Sequence, residues 1–461
     1  MGIPGPAAAP DGVVVLDFMA AGLGDRSYLV LSGEHALMVD PQRDVEPYLV
    51  AAETNGARIT HVLETHIHND YVSGGVELAR RAGATLVLPS GSGAAYAHRA
   101  AADEDRFEMG RLVVRTLHTP GHTLDHTSYV LETEQGAGLL FSGGSLLAGS
   151  AGRTDLAGAA LTDRLTADQF SSVRRLAALD PSTALYPTHG AGSFCTASGA
   201  TGGGFTTVGQ ERKDNPALMD TDPLAFRERQ LAGLLRYPAY YRFMAPINRA
   251  GPRPLGAVVA PATLSTVELA ALCAAGVHIV DTRPRAAFAA GHIPGSLNVE
   301  LADELGTYVG WLLPFDTPVA LVTEPGRDAT EPVRQLARIG FDTIRGALPG
   351  LDGWVAEGRT TQRFARASIR DLHDALRSDP PPRVLDVRQP DEWRSGTIPG
   401  SITRFVADLA EPDLWLPDGG PTWVVCASGF RASIASSLLA AAGREVVAVD
   451  GGGVPDLLRL G

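Results

Sequence analysis

Histidines and acids gather in four short stretches of the first 200 residues. "THIHND" holds His66, His68 and Asp70; "HTPGHTLDH" holds His118, His122 and His126; "FSGGSLL" holds Gly143 and Gly144; "YPTHGAG" holds His189. Imidazole nitrogens with a carboxylate suit zinc or iron. His66 and His68 are two apart, so they point the same way only in an extended or turning segment, and they follow an apolar run that reads as a strand. One isolated histidine would be an ordinary buried or surface side chain. Three histidine stretches, each at the end of a strand-like run, point to a metal centre built from His66, His122, His68, Asp70 and His189. His118 reads as a residue that fixes its loop. Tyr71 stands where an H-x-H-x-D-H pattern would place one more histidine.

A second chemistry sits near the end of the chain. "CASGFR" runs from Cys426 to Arg431, after the apolar "TWVV" and before a helix starting near Ala432. A cysteine there lies in a loop of backbone N–H groups at a helix N-terminus, a setting that favours an anion and a thiolate. Arg431 adds a fixed positive charge, and Ser428 and Gly429 complete the turn. Such a thiolate can accept a sulfane sulfur and carry it as a persulfide. The other cysteines lack this context: Cys273 falls in a helical apolar pattern, and Cys195 follows "THGAGS" close to His189.

These residues need a frame to hold them, and the second half is framed by a repeat. "HIVDTRPRAAFAAGHIPGSLNV" from His278 matches "RVLDVRQPDEWRSGTIPGSITR" from Arg383, so that Asp281 pairs with Asp386 and Gly295 with Gly400. Each copy reads as a buried strand ending in Asp-x-Arg, a short helix, an I-P-G-S turn, a second apolar strand, a loop and an amphipathic helix. Alternation of this kind predicts a parallel α/β sheet in each copy. In the first copy Thr323 stands opposite Cys426 and Asp328 opposite Arg431, so that loop, "TEPGRD", holds no sulfur chemistry. The first half instead reads as strands ("VVVLDF", "YLVLSG", "HALMVD", "TLVLP") with a helix at "GVELARRAG". Pro/Gly punctuation in "INRAGPRPLGAV" and a second boundary near Gly358–Gln362 divide the chain into 1–252, 253–360 and 361–461.

Bulk composition agrees. At roughly 150 residues per domain, 461 residues suggest about three domains. Hydrophobic content of 44% and charged content of 20% are ordinary for a globular chain. A net charge of -13 argues against nucleic acid or an anionic membrane as partner. The first twelve residues lack the basic and apolar regions of a secretory signal, Pro6 breaks a myristoylation pattern, and no apolar run is long enough to span a membrane. Three widely spaced cysteines fit a reducing cytoplasm rather than a disulfide framework. A homodimer is the default expectation for such a chain.

Taken with "GRTDL" (Gly152 to Leu156), "HGAGSFC" (His189 to Cys195) and "ERKDNPAL" (Glu211 to Leu218), the first ~250 residues resemble the metallo-β-lactamase fold, and within it the persulfide dioxygenase branch. With two rhodanese repeats behind, nearly the whole chain resembles a persulfide dioxygenase–rhodanese fusion. The resemblance implies an αββα sandwich followed by two rhodanese-like parallel α/β domains. It implies a mononuclear Fe(II) held by His66, His122 and an aspartate in an F-T-G-D-A/S-L segment. Here that segment is "FSGGSLL", and Gly144 occupies the aspartate's position; glycine cannot ligate. Three readings stand open: Fe(II) on His66 and His122 with His68 or Asp70 swinging in; zinc on His66, His68 and His122; or a metal-deficient scaffold. A two-metal hydrolase is less favoured, because the bridging aspartate and the histidine at 71 are both missing.

The resemblance further implies a role in sulfur metabolism. The metal would oxidise a low-molecular-weight persulfide to sulfite, and Cys426 would move sulfane sulfur among thiosulfate, sulfite and thiols. Glutathione, coenzyme A, mycothiol or bacillithiol could carry the sulfur. The alternative enzyme is a zinc-dependent thioester-type hydrolase.

Overall fold

The computed structural model describes residues 12–132, 138–197, 205–410 and 412–460. The expectation for the first eleven residues lies outside them. Met1–Val258 with Ala337–Gly340 form one compact unit, and Val259–Leu336 with Phe341–Gly461 another.

In the first unit, six strands pair in chain order into one sheet: β1 (Val13–Ala20), β2 (Asp25–Ser32), β3 (His35–Val39), β4 (Arg58–Leu63), β5 (Thr85–Pro89) and β6 (Arg99–Ala101). A second sheet takes β7 (Arg106–Met109), β8 (Leu112–His118), β9 (Thr127–Glu132), β10 (Leu139–Gly143), β13 (Ala184–Pro187) and β14 (Thr206–Thr207), in the order β14-β13-β10-β9-β8-β7. The hairpin β11 (Leu146–Leu147) and β12 (Ser150–Ala151) stands apart.

Strand alternation explains the layering. Tyr28 and Val30 of β2 share a core with Leu37 and Val39 of β3 and with Val114, Tyr129, Leu139 and Phe141 of the second sheet. The intervening Leu29 and Leu31 join Met38, Ile59 and Val62 in an outer core. Tyr48 and Ala52 of the helix Glu46–Thr54, and Leu78 and Ala79 of the helix Gly75–Ala82, cover it. On the far side Val130, Leu140 and Leu185 pack against Val173 and Leu176 of the helix Ala159–Ala177. Both sheets are apolar on both faces, which requires helices outside and a sandwich inside. This is the expected αββα arrangement.

The site follows from strand direction. β3, β4 and β5 run parallel, as do β10 and β13. The loop after β4 carries His66 to Asp70, the loop after β10 carries Gly144, and the loop after β13 carries His189; the β8–β9 connection adds His122. Backbone bonds tie these loops together: Thr127 N–H donates to the Thr65 carbonyl (2.8 Å), and Thr188 N–H to that of Gly143 (3.0 Å).

The second unit holds two wholly parallel sheets. The first orders β15 (His278–Asp281), β16 (Leu297–Asn298), β17 (Val319–Thr323) and β18 (Ile344–Pro349) as β16-β15-β17-β18. The second orders β19 (Ala365–Ser368), β20 (Arg383–Asp386), β21 (Ile402–Thr403), β22 (Thr422–Val425) and β23 (Val446–Asp450) as β19-β23-β22-β20-β21. The Asp-x-Arg pairs are superimposable chemistry. Arg283 Nη2 donates to Asp281 (2.6 Å) and to the Gly291 carbonyl (2.9 Å); Arg388 Nη2 donates to Asp386 (2.6 Å) and to the Gly396 carbonyl (2.7 Å). Asp281 pairs with Val322 and Asp386 with Val425, so the next residues, Thr323 and Cys426, are equivalent.

Candidate metal centre and sulfur-carrying loop

Each of three histidines has its outer nitrogen occupied. The Thr65 hydroxyl donates to Asp40 Oδ2 (2.6 Å) and so accepts from His66 Nδ1–H (2.9 Å). His122 Nδ1–H donates to the Arg153 carbonyl (2.8 Å). His189 Nδ1 pairs with Asp25 Oδ1 (2.8 Å). Partners of this kind fix the tautomer and leave Nε2 as the lone pair. His66 Nε2 and His189 Nε2 face each other at 3.4 Å, and His122 Nε2 is buried with no hydrogen-bond partner. One ring nitrogen of each of the three lies within 4.8 Å of the others. Burial, then the neighbouring imidazoles' charges, hold His66 and His122 well below the usual imidazole range, and burial lowers His189. Three neutral, converging imidazoles suit one zinc or iron ion.

Gly144 is part of this geometry. A Cβ there would fall 2.2 Å from His122 Cδ2 and 2.7 Å from its Nε2. The His122 ring fills the space beside residue 144, and Gly144 N–H donates to His126 Nε2 (2.9 Å). His126, whose Nδ1 bonds Thr119, therefore pins the loop. His118 is exposed, and its backbone carbonyl accepts from Arg175.

His68 stands beside His66 but turns its Nε2 away. Its Nε2 lies against Glu64 Oε2 (3.0 Å), Tyr71 Oη (2.9 Å) and Asp40 Oδ1 (3.3 Å), and its ring stacks on Tyr71. Burial opposes its charge, but the Asp40 and Glu64 carboxylates raise it well above the usual range, while its Nδ1 is buried with no hydrogen-bond partner. The fold brings His189 to His66 and His122, and it also brings His68 together with Asp40 and His66 within 4.8 Å. Asp70 sits behind His189, 3.4 Å from its Nδ1, and accepts from Cys195 Sγ at 3.3 Å. Burial pushes Asp25 and Asp70 up to about 7, with the Asp25 charge adding to the effect at Asp70. A second group, His68, Asp70 and His189, also lies within 4.8 Å. In that lobe the Tyr71 phenol and the Glu64 carboxylate occupy the Nε2 side of His68. Asp25, Asp40 and Glu64 escaped the sequence reading; an acid closing the apolar strand "HALMVD" is the one local signal.

In the second unit, the loop after β22 forms as expected. Cys426 is buried, and Gly429 N–H donates to its Sγ (3.1 Å). Gly429 has φ 97°, a left-handed value that suits glycine, and opens the helix Phe430–Ala441. Arg431 forks onto Glu392, with Nη2 to Oε1 at 2.9 Å. In the first repeat the equivalent loop is closed by its own acid: Asp328 accepts from Thr330 N–H (3.0 Å) and from its hydroxyl (2.8 Å). Cys273 is half-buried on its helix, and Cys195 is fully buried. Among the described residues no helix is long and apolar enough to cross a membrane.

Comparison with known proteins matches these pieces. The metallo-beta-lactamase superfamily profile covers residues 23–189, and the rhodanese-like domain profile covers 265–357 and 368–454. The hydroxyacylglutathione hydrolase of Rhizobium meliloti (strain 1021) is 32% identical over 221 residues, 42% of this chain and 80% of that protein. That of Rhizobium johnstonii is 35% identical over 145 residues, 31% of this chain and 53% of that protein, so the chain spans about half the length of the first curated relatives it matches. A crystal structure of a metallo-beta-lactamase from Staphylococcus aureus subsp. aureus COL is 26% identical with a TM-score of 0.65, covering 74% of this chain and all of that one.

Proposed function

The chain belongs to the metallo-β-lactamase superfamily and carries two rhodanese-like domains, and from that premise we propose a three-domain sulfur-metabolism enzyme. The domains are 1–252, 253–360 and 361–461. The first oxidises a low-molecular-weight persulfide to sulfite at one metal ion; the third transfers sulfane sulfur on Cys426. The observation that carries the first half is the convergence of His66, His122 and His189 with neutral rings and outer nitrogens engaged.

An Fe(II) ion bound by these three residues would supply O2 chemistry, with the balance RSSH + O2 + H2O → RSH + SO3²⁻ + 2H⁺. The chain's own groups set the stage. Thr65, the Arg153 carbonyl and Asp25 orient the three rings. Asp40 accepts from Thr65 N–H (2.7 Å) and hydrogen-bonds the Thr188 hydroxyl, so it locks the loops that carry His66 and His189. Behind His189, burial raises both the Asp25 and Asp70 carboxyls.

In the third domain the Cys426 thiolate attacks the outer sulfur of thiosulfate. The S–S bond breaks and sulfite leaves with the electron pair. A thiolate acceptor then takes the outer sulfur and restores Cys426. Gly429 N–H stabilises the sulfur anion. Joining the two activities in one chain raises the effective concentration of shared sulfite or persulfide.

A second reading is favoured by the similarity to hydroxyacylglutathione hydrolases: a zinc-dependent thioester hydrolase. Products separate the two. Protein loaded with Fe(II) or with zinc is given glutathione persulfide or a hydroxyacylglutathione thioester. Sulfite from persulfide with iron supports the oxidation; thiol release from thioester with zinc, and no sulfite with iron, supports the hydrolase.

A further inference from the structure

Two features of the Cys426 loop come from the repeat whose own loop lacks a cysteine. The helix Phe430–Ala441 buries Ala432, Ser433, Ile434, Ala435, Ser436, Ser437 and Leu439, so it needs cover on more than one side. Its own sheet gives β22 and β23; the first repeat gives β16 and the helix Arg285–Ala290. Asn298 of β16 fastens the contact. Its Nδ2 donates to the carbonyls of Asp281 (3.0 Å) and Arg283 (3.1 Å), its Oδ1 accepts from Ser433 Oγ (2.6 Å), and its N–H donates to Ser437 Oγ (3.1 Å).

Arg285 then reaches the loop itself. Glu300 anchors its guanidinium, accepting from Nε at 2.9 Å and from Nη2. The remaining nitrogen, Nη1, donates to the Ser428 carbonyl (3.1 Å) and lies 3.6 Å from Asp450 Oδ1. A Cβ on Gly429 would fall 2.6 Å from that Nη1, so the contact is close. The Ser428 carbonyl and the Gly429 N–H belong to one peptide plane, and in a trans peptide they point in opposite directions. The oxygen end of that plane is on Arg285; the N–H end is on Cys426 Sγ (3.1 Å).

We infer that Arg285, on the repeat that has Thr323 in place of the loop cysteine, is a positioning residue for Cys426: by holding the Ser428 carbonyl it aims the Gly429 N–H at the sulfur. The first repeat is therefore part of the sulfur-transfer site rather than a spacer. The inference rests on the sulfurtransferase reading above. With Arg285 removed, the peptide plane is free to turn and the thiolate loses a charge-assisted hydrogen bond.

The test uses the full chain. Arg285→Met keeps the apolar stem and removes the donor; Arg285→Lys restores a donor and the charge; Glu300→Gln loosens the anchor without touching the loop. The pH dependence of Cys426 alkylation by iodoacetamide is read by peptide mass, alongside thiosulfate:cyanide sulfurtransfer. The alkylation midpoint should rise by about one unit in Arg285→Met, return most of the way in Arg285→Lys, and rise by less in Glu300→Gln, with kcat about tenfold lower in the first. A residue that only packs the two repeats would leave the midpoint alone. An unchanged midpoint in both Arg285→Met and Glu300→Gln overturns the inference while Cys426-dependent transfer survives. Transfer that persists in Cys426→Ser would instead sink the sulfurtransferase reading itself.

Discussion

Gly144→Ala is the sharpest probe of the metal site. The added Cβ would sit 2.2 Å from His122 Cδ2, about 1.2 Å inside ordinary van der Waals contact at 3.4 Å. The ring has little room to retreat. Its Nδ1–H is held by the Arg153 carbonyl, and on that side Gly152 is close enough that a Cβ there would lie 3.0 Å from the same Nδ1. Overpacking of this kind costs about 1–3 kcal/mol, and a buried hydrogen bond lost with it about 1 kcal/mol more. A loss of roughly 2–4 kcal/mol lowers the melting temperature of a domain this size by about 5–15 °C. In the proposed ligand set the displaced imidazole also holds the metal, so retained metal should fall well below one per chain. Differential scanning calorimetry of the metal-free protein and elemental analysis after anaerobic loading read the two effects separately. An unchanged melting temperature with full metal content would refute the placement of His122 against Gly144. Gly144→Asp meets the same obstacle, because its carboxylate enters only by evicting His122. If that variant gained iron and activity that the wild type lacks, the natural site would be degenerate.

Three further outcomes are expected. His66→Ala, His122→Ala and His189→Ala should each empty the metal site, whereas His68→Gln should keep most of the metal; elemental analysis that ranks His68 above His189 would reverse the ligand assignment. Asp25 and Asp70, raised to about 7 from 3.8, make the folded chain hold more protons than the unfolded chain between those values, so stabilisation present below about pH 4 is lost as pH rises through 7. Metal-free Asp70→Asn, which has no such proton to lose, should therefore gain melting temperature relative to metal-free wild type between about pH 5 and pH 8, and a pH-independent difference would contradict the shared burial of the pair. Cys426→Ser should abolish thiosulfate:cyanide transfer, since neither Cys195 nor Cys273 lies in an anion-binding loop; retained activity would exclude Cys426 as the carrier.

The repeat architecture was legible because it is local. A buried strand, an Asp-x-Arg fork and a Gly turn recur at a fixed offset, and the strand register places Thr323 and Cys426 at equivalent positions. The αββα sandwich was legible only through the family's motifs; the strand runs by themselves gave strands and a helix without their layering. The choice between His68 and His189 was not, because it depends on what lies behind each ring. Asp25 opens β2 and Glu64 follows β4, and only folding brings the first to His189 and the second to His68. Gly144 read as a missing ligand; in the fold it is also the space His122 occupies. Arg285 carried no signal, since its partner Ser428 lies 143 residues away.

The central claim is that His66, His122 and His189 hold a metal that oxidises a persulfide despite Gly144. Oxygen consumption by anaerobically Fe(II)-loaded protein given glutathione persulfide tests it directly. Uptake that requires iron and vanishes in both His122→Ala and His189→Ala is the predicted result. No uptake by protein that demonstrably holds iron, with Cys426 transfer intact, would contradict it and leave the first domain as a hydrolase or a scaffold.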